Sequence, residues 1–266
     1  MREEMAVREA TRLSSKLIYE VIRRDGEEEL ERPTRSLIWS GVAAGILISF
    51  SVLGEAIFRT YLPDAPWRFL VENLGYSFGF LLVILGRMQL FTENTITTIL
   101  PLVAERSGTC LAAVARLWSI VLVANIIGGF IAAAFMTQTS GIAPELLATI
   151  NDLSHHATGF AASEGFLRAI PAGILVASIV WMMPGQNGGE VLLIVIFTWL
   201  IAAGDFTHII AGSVEMWVLV LQGELTAQPA VFGFFLPVLA GNIVGGTLVF
   251  ALLAWGQVKA EVEEEE

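Results

Sequence analysis

The chain has 266 residues, of which 55% are hydrophobic and 15% are charged, and its mean hydropathy is +0.69. These values exceed what a soluble domain needs to build its core. The formal net charge of −11 excludes nucleic acid as a natural partner, and the single cysteine, Cys110, excludes an internal disulfide. Length, composition and charge therefore predict an integral membrane protein.

Residues 1–35 are predicted to form a charged cytoplasmic tail that contains an amphipathic helix. Eight of the 15 basic residues lie in this tail, and positive charge beside a first membrane span favours the cytoplasmic side. The tail has no apolar core of the kind that a signal peptide requires. Its hydrophobic side chains recur at spacings near three and four, which predicts either a regulatory plug or a packing helix. They are Val7, Leu13, Leu17, Ile18, Val21 and Ile22.

Six apolar segments follow the tail. A helix needs roughly 20 apolar residues to cross the hydrocarbon core of a bilayer. Four segments have about that length, and they lie at 37–58, 110–135, 166–183 and 231–255. Two others are longer than one span and are interrupted by polar residues near the middle, at 69–104 and 191–221. The sequence therefore predicts six crossings, of which the second and the fifth are broken.

Six crossings place both termini in the cytoplasm. Eleven basic residues then fall inside and three fall outside, with Arg87 ambiguous within the second segment, in agreement with the positive-inside rule. The three outside are Arg59, Arg68 and Arg168. Residues 257–266 are predicted to form an acidic, solvated cytoplasmic tail.

Two sequence motifs each occur twice in the apolar region. The sequence ANIIGG at 124–129 is echoed by GNIVGG at 241–246. Upstream of each motif lies a second echo, LFTE at 90–93 and DFTH at 205–208. Because the two pairs occur at similar separations, the sequence predicts two related halves.

The two predicted halves, 36–137 and 163–256, contain three crossings each and therefore lie in opposite orientations, as in many channels and transporters. Matching LFTE with DFTH aligns Phe91 with Phe206. Irregular backbone is tolerated at membrane depth only where it is buried or lines a cavity. We therefore expect the transport pathway at the two broken segments.

His208 is the ionisable residue at the second break, and ionisable residues inside a membrane indicate a functional site by default. If a half-helix begins near Asp205 or Phe206, its free N–H groups attract anions at the bilayer midplane. His208 then donates a hydrogen bond or a proton, or else packs as a neutral histidine. Thr92 and Thr207 supply hydroxyls at the two breaks, either to a substrate or as helix caps.

Bulky side chains near the same depth are spaced to form apolar constrictions that exclude hydrated ions, and packing is the alternative role for each of them. They are Tyr76, Phe80, Leu90, Phe91, Ile201 and Phe206. Asn125 and Asn242 lie among glycines, where an amide exposed to lipid is costly. We therefore expect each asparagine to bond to a broken helix or to its loop.

These features resemble the formate/nitrite transporter family over residues 36–256, and the FTEN sequence that starts at Phe91 resembles its YfdC-like branch most. The motifs that carry the resemblance are LFT at 90–92, FTH at 206–208, NIIG at 125–128, NIVG at 242–245, and Phe166 with GIL at 173–175. The resemblance implies an all-α, aquaporin-like bundle of six spans. It also implies a homopentamer with one pore per protomer, in the inner membrane.

Membership in that family also implies a function and a pore. Small monovalent anions such as formate, nitrite or hydrosulfide are the implied substrates. Thr92 and His208 are the implied centre of the pore, and a weak-acid anion is neutralised there by protonation and crosses as the acid. The implied constrictions are Leu90, Phe91 and Tyr76 or Phe80 on one side, and Ile201 on the other.

Several positions depart from the family pattern. Ala161 stands where a basic residue is usual, and Arg168 is the candidate to replace its charge. Three acids lie near the breaks, and they would repel anions if all were ionised and faced the pore. They are Glu93, Asp205 and Glu215. They are protonated, pair with Arg87 or Arg168, or mark a branch that carries a neutral or protonated solute.

Three functions remain open on the sequence: a channel or carrier for small anions or weak acids, an aquaporin-like channel for small neutral solutes, and a membrane scaffold or sensor. The sequence contains no nucleotide-binding or hydrolase motif, so no enzyme is predicted. His155 and His156 fall in a predicted solvated loop and lack the further ligands of a metal site. We therefore expect no metal and no cofactor.

Overall fold

The computed structural model describes residues 13–263, and within this range every regular element is helical. Val7 of the predicted tail helix and the last acidic residues, 264–266, lie outside the described residues. Five helices are long and apolar enough to cross a membrane, judged by length and composition: Thr34–Tyr61, Arg68–Leu85, Gly108–Gln138, Ala162–Gly185 and Pro229–Val262. The prediction of an all-helical protein with several membrane-type helices is confirmed.

We number the helices α1 to α14 in chain order. They are α1 (Ser15–Glu31), α2 (Thr34–Leu47), α3 (Ser49–Tyr61), α4 (Arg68–Glu72), α5 (Ser77–Leu85), α6 (Phe91–Thr97), α7 (Ile99–Glu105), α8 (Gly108–Gln138), α9 (Pro144–Thr158), α10 (Ala162–Met182), α11 (Glu190–Ala203), α12 (Ile209–Gln222), α13 (Leu236–Ile243) and α14 (Leu252–Glu263). A 3₁₀ turn at Asn73–Tyr76 joins α4 to α5, and π-helical turns at Pro229–Phe235 and Val244–Ala251 flank α13.

Two apolar segments are interrupted by short stretches of irregular backbone. The first break lies between Leu85, where α5 ends, and Phe91, where α6 begins. The second break lies between Ala203, where α11 ends, and Ile209, where α12 begins. These breaks carry most of the side chains that the sequence singles out.

Close helix contacts in both halves of the chain depend on glycine. A Cβ added at Gly45 on α2 would lie 2.1 Å from the carbonyl oxygen of Asn125 on α8. One added at Gly173 on α10 would lie 2.3 Å from the carbonyl oxygen of Asn242 on α13. Such distances leave room only for hydrogen, so the paired helices touch through their backbones. Both contacts hold an asparagine next to a broken helix.

The segment that carries His155 and His156 is a helix, so the sequence-based expectation of a loop there is wrong, although both histidines are exposed as expected. Both histidines lie on α9, which begins with Pro144 at its first turn. Ile150 and Leu153 of α9 are buried, and the helix packs against α12 and α3. A short amphipathic pattern in this segment supplies the physical reason, since it provides an apolar face for the bundle.

The tail helix α1 packs against the bundle along one narrow face. Tyr19 and Ile22 are 1% and 2% exposed, and a Cβ added at Gly26 would lie 2.0 Å from the Thr97 carbonyl oxygen. Leu17, which the sequence assigned to the apolar face, is 47% exposed. Arg116 on α8 donates hydrogen bonds to the carbonyl oxygens of Leu30 and Arg32 at the C-terminal end of α1. The described part of the tail is therefore a docked helix.

Candidate functional site

The first break has a tight turn followed by an extended residue. Arg87 has a positive φ of 52°, and the Met88 N–H donates back to the Val83 carbonyl oxygen. Leu90 is extended, with φ −104° and ψ 124°, and immediately precedes α6. The chain thus leaves one half-helix through a left-handed residue and enters the next one through an extended residue.

The second break repeats this backbone geometry. Asp205 has a positive φ of 57°, and the Phe206 N–H donates back to the Ile201 carbonyl oxygen. His208 is extended, with φ −110° and ψ 126°, and precedes α12. The dihedral angles pair Asp205 with Arg87, and His208 with Leu90.

The alignment of Phe91 with Phe206 that the sequence echo predicts is therefore wrong by three residues. The backbone pairs Phe91 with Ile209, since each is the first residue of the second half-helix. A four-letter similarity is short enough to arise by chance. Hydrogen bonds and dihedral angles fix the correspondence, and the same three-residue shift holds along the whole turn.

Asn125 and Asn242 make the same set of hydrogen bonds, one at each break. Asn125 Oδ1 accepts from the Phe91 N–H at 2.9 Å, and its Nδ2 donates to the carbonyl oxygens of Gly41 and Gln89 at 2.8 Å. Both side chains are fully buried. The side-chain amide of Asn125 thus bonds to the first residue of α6, to Gln89 in the break and to Gly41 on α2.

The second asparagine has the matching contacts. Asn242 Oδ1 accepts from the Ile209 N–H at 2.8 Å. Its Nδ2 donates to the carbonyl oxygens of Ala169 at 2.8 Å and Thr207 at 3.0 Å. Backbone groups at the break are satisfied in this way without water, as buried polar groups require.

Thr92 and His208 join the two breaks. Thr92 Oγ1 lies 2.8 Å from His208 Nε2, and both residues are buried. The Ala211 N–H donates to His208 Nδ1 at 3.3 Å, so the histidine caps the start of α12. Because Nδ1 accepts, the neutral ring carries its proton on Nε2 and donates it to Thr92 Oγ1. The hydroxyl proton of Thr92 is not needed for this bond and can point towards a permeating solute.

Most of the bulky residues that the sequence predicted at the constrictions are buried, and one of them contacts His208. Phe80, Leu90, Phe91 and Ile201 are each at most 1% exposed. The ring of Phe80 contacts the His208 ring edge-on, with centroids 5.0 Å apart. The rings of Tyr76 and Phe80 have centroids 5.4 Å apart, which extends the apolar layer away from His208.

A cavity of about 70 Å³ adjoins His208, and no residue of α1 lines it; we call it the distal cavity. Phe206 and Thr207 form part of its wall. Its titratable lining residues are Glu55, Tyr76, His156, Asp205, His208 and Glu215. The sequence-based site did not include Glu55 or His156. An acid inside the apolar segment 37–58 was a signal that could have identified Glu55.

Asp205 is neutralised at the rim of the distal cavity. Arg168 Nη1 lies 3.1 Å from Asp205 Oδ2 and donates to the Asp205 carbonyl oxygen at the same distance. His156 Nε2 lies 2.7 Å from Asp205 Oδ1. The Arg168 guanidinium also stacks over the Phe160 ring at 4.3 Å and bonds to Glu164. Arg168 therefore holds the left-handed turn of the second break.

A larger cavity of about 610 Å³ lies between α1 and the first break, and we call it the α1-side cavity. Its charged lining residues are Asp25, Glu28, Glu29, Arg87, Glu93 and Glu190, and Gln89 also lines it. Gln89 Nε2 donates to Glu29 Oε2 at 2.6 Å, which ties α1 to the break. The pKa of Asp25 is raised above its ordinary value, because the effect of burial exceeds the opposing effect of the nearby Arg87. Acidic side chains thus dominate this cavity.

Comparison with known proteins assigns the chain to a family. Residues 16–256 match the formate/nitrite transporter family. The chain belongs to the formate/nitrite transporter family. Within this family it is 42% identical to the inner membrane protein YfdC of Escherichia coli (strain K12), over 93% of this chain and 80% of that protein. It is 30% identical to the formate channel FocA of Haemophilus influenzae, over 82% of this chain and 84% of that protein.

Solved structures of the formate/nitrite transporter family share the fold. A pentameric formate channel with formate bound has a TM-score of 0.74 at 22% identity, covering 85% of this chain and 98% of that chain. An ion channel of the same family has a TM-score of 0.76 at 17% identity, covering 90% and 98% respectively. The helical architecture is therefore that of the family.

In this family member the predicted site residues separate into three groups. Thr92 and His208 meet between the breaks, whereas Glu93 lines the α1-side cavity and Asp205 and Glu215 line the distal cavity. Asp205 has the basic partner Arg168, as one interpretation of the sequence allowed. Among residues 13–263 no group of three or more His, Cys, Asp or Glu side chains is arranged to hold a metal ion.

Proposed function

We propose that the protein is a transmembrane channel or transporter for small monovalent anions or their conjugate weak acids, such as formate, nitrite or hydrosulfide. The observation that carries this proposal is the buried bond between Thr92 Oγ1 and His208 Nε2 at the start of α12. It puts a hydroxyl, an imidazole and a helix N-terminus together, next to a cavity. Relatives named formate channels support the substrate class.

The pathway requires a six-span bundle made of two inverted repeats, at 36–137 and 163–256. The repeated backbone of the two breaks supports this arrangement, because residues equivalent by dihedral angle also make equivalent bonds to Asn125 and Asn242. The asparagines serve as supports for the two pore loops. Three crossings per repeat give the two halves opposite directions in the membrane.

The N- and C-termini face the cytoplasm in the proposed orientation, in the bacterial inner membrane. The excess of basic residues on the tail side supports this orientation. A 42% identical relative is named an inner membrane protein. The α1-side cavity then opens to the cytoplasm, and the distal cavity opens to the outside. The tails 1–35 and 257–266 flank the pore domain.

Passage depends on a polar centre between apolar layers. The positive end of the α12 helix dipole and the Thr92 hydroxyl attract the anion, and His208 donates a hydrogen bond to the anion when its ring N–H turns away from Thr92. Phe80, Leu90 and Ile201 exclude hydrated ions. The solute therefore crosses these layers as the neutral weak acid. Phe91, Tyr76, Phe206 and Thr207 complete the walls.

The proposed assembly is a homopentamer with one pore in each protomer. One structural neighbour is named a pentameric formate channel, which supports this assembly. Large apolar side chains also remain exposed along the membrane-type helices, in contact with lipid or with neighbouring protomers. They include Trp39, Val123, Phe135, Leu192 and Phe232.

Permeation into liposomes tests the function. Purified protein is reconstituted, and shrinkage and reswelling are followed by stopped-flow light scattering with formate, nitrite, acetate and urea at two pH values. Weak acids should enter faster at the lower pH. His208→Ala should reduce their entry about 100-fold, because it removes both the donor to the guest and the helix cap.

His155→Ala is the matched control, since His155 is an exposed histidine on α9 that bonds Glu224. It should leave the entry of every solute unchanged. Entry of urea alone, or weak-acid entry that is the same in His208→Ala and in the unmodified protein, would contradict the proposal. Entry of urea alone would make the chain a channel for neutral solutes.

A further inference from the structure

Two acids in the distal cavity lack the compensation that Asp205 receives. Glu55 lies on α3 and Glu215 lies on α12, and both line the cavity. Among the described residues, neither carboxylate makes a hydrogen bond or an ion pair, whereas Asp205 is held by Arg168 and His156. Both acids line the same cavity, and Glu55 is one of the charges that act on Glu215. Both side chains are half-buried at the cavity, and a carboxylate that is partly removed from water without a protein partner is costly, so this pair calls for an occupant.

Two further polar groups in the same cavity also point to an occupant. Tyr76 is only 7% exposed, and its hydroxyl makes no hydrogen bond within residues 13–263. Asn73 is 3% exposed, and its Nδ2 donates to the Phe69 carbonyl oxygen at 2.6 Å. The Asn73 Oδ1 atom is left as an acceptor on the cavity side. Buried polar atoms without protein partners ordinarily bond to water or to a ligand.

The chemistry of the lining selects the occupant. Carboxylates and an amide oxygen are acceptors, so the occupant has to bring hydrogen atoms or positive charge. No group of three or more metal-binding side chains occurs among the described residues, which disfavours a metal ion. A volume of about 70 Å³ accommodates a few water molecules. Water and an exchangeable proton satisfy both conditions.

We propose that Glu55 and Glu215 form a proton-binding pair, which delivers a proton to a weak-acid anion in the distal cavity before the anion reaches His208. This inference rests on the proposed function, and it specifies where the proton comes from. Two carboxylates that interact in a site of low dielectric resist double ionisation, so the pair holds one proton permanently, and a second proton is the one that it exchanges. The cavity is then less repulsive to an arriving anion.

The surroundings of the pair are mixed in charge. Glu72 on α4 pairs with Arg59 on α3 at 3.9 Å and with Arg68 at 3.4 Å, so the charge of this carboxylate is offset. Arg168 likewise offsets Asp205. The titratable and charged groups that face the pair are Arg59, Glu72, Tyr76, His156, Asp205 and His208. No lysine or arginine forms an ion pair with the two acids in the described part of the chain, so the proton has no fixed cation as a competitor.

The proposed step balances in atoms and charge. The carboxyl O–H bond of the pair breaks, and an O–H bond forms on an oxygen of formate or nitrite. The pair gains one negative charge, and the substrate becomes the neutral acid. A hydronium ion from the outer solution restores the proton, so one proton enters with each anion. The neutral acid then passes Phe80 and the pair formed by Thr92 and His208.

Flux with controlled pH on each side of the membrane tests the step. Glu55→Gln, Glu215→Gln and the double substitution are compared, with Glu224→Gln as control because Glu224 is an exposed acid that pairs with His155. The double substitution should lower formate entry at neutral outer pH by at least about tenfold and flatten its dependence on outer pH. The control should behave as the unmodified protein does. Aspartate at both positions should restore part of the pH dependence.

Infrared spectroscopy tests the pair without any substrate. A pH jump should change a carbonyl band of protonated carboxyl groups, which shifts in D2O, and the double glutamine variant should lack this band. An unchanged pH profile, a band that persists in the double variant, or formate entry that requires sodium instead of protons would overturn the proposal. If the unmodified protein carries no weak acid, the proposed function fails, and the infrared band still reports whether the pair binds a proton.

Discussion

At the residue scale, the second break depends on one buried amide. Asn242 satisfies the first N–H of α12 and two carbonyl oxygens, which belong to Ala169 and Thr207. Asn125 does the same for α6. Both asparagine side chains are fully buried, so water does not replace the amide as the partner of these backbone groups. The asparagine therefore acts as a three-way joint between the broken helix, its loop and a neighbouring helix.

Asn242→Ala should lower the stability of the protein by about 2 kcal/mol or more, because three backbone groups lose their partner. The measurement is the midpoint of thermal unfolding in detergent. Asn187→Ala is the control, since Asn187 is exposed in the loop before α11. Equal midpoints for the two variants would contradict the role of Asn242 as a joint. Weak-acid entry should fall together with the midpoint, as the break loosens.

Some of the site residues could be identified from the sequence. Thr92, His208 and both asparagines stood out because polar groups in apolar segments are rare. Their bonding partners could not be read from the sequence, because the asparagines bond to backbone groups 33 or more residues away and Thr92 bonds to His208, which is 116 residues away. Glu55 was overlooked because it lies inside a span that otherwise has the expected length and apolar character.

At the element scale, backbone contact between helices positions the two breaks. Composition and segment length predicted where the helices lie, and the five long apolar helices agree with those segments. The same properties could not fix the register of one half against the other, because a repeat of four letters tolerates a shift. Turn geometry at Arg87 and Asp205 resolves that register. Glycines such as Gly45 then set how closely the helices approach.

Gly45→Ala should destabilise the protein by about 1–3 kcal/mol, because the new Cβ would meet the Asn125 carbonyl oxygen and push α2 away from α8. Gly256→Ala on α14 is the matched control, because a Cβ there meets no atom within 4 Å. That variant should be neutral or stabilised by roughly 0.5–1 kcal/mol. Thermal unfolding of both variants in the same detergent decides. A Gly45→Ala protein as stable as Gly256→Ala would mean that α2 and α8 can separate freely.

At the scale of the whole molecule, a protein with a net charge of −11 has to admit an anion. Both cavities are lined by acids, and long-range repulsion between like charges slows the arrival of a charged solute. Arg168 offsets Asp205 at the rim of the distal cavity. A proton shared by Glu55 and Glu215 would offset the deeper charge. In the proposed mechanism, a fixed cation at the rim is combined with an exchangeable proton inside.

Arg168→Gln tests the fixed cation. Without the guanidinium, the Asp205 carboxylate adds its full charge to the rim, so anion entry at low ionic strength should fall about tenfold. High salt should restore most of the rate, because exposed charges are screened over about 10 Å at 0.1 M. Stopped-flow entry of formate at two ionic strengths measures both effects. Arg24→Gln, at an exposed arginine on α1, is the control and should change neither rate.

The double substitution Arg168→Gln/Asp205→Asn separates charge from structure. Arg168 also donates to the Asp205 carbonyl oxygen at the left-handed turn, so its loss weakens the break as well as the charge balance. If the charge dominates, removing Asp205 together with Arg168 should recover anion entry at low salt. A defect that persists in the double variant and is independent of salt would mean that Arg168 acts by holding the turn. The coupling between the two substitutions gives the share of each effect.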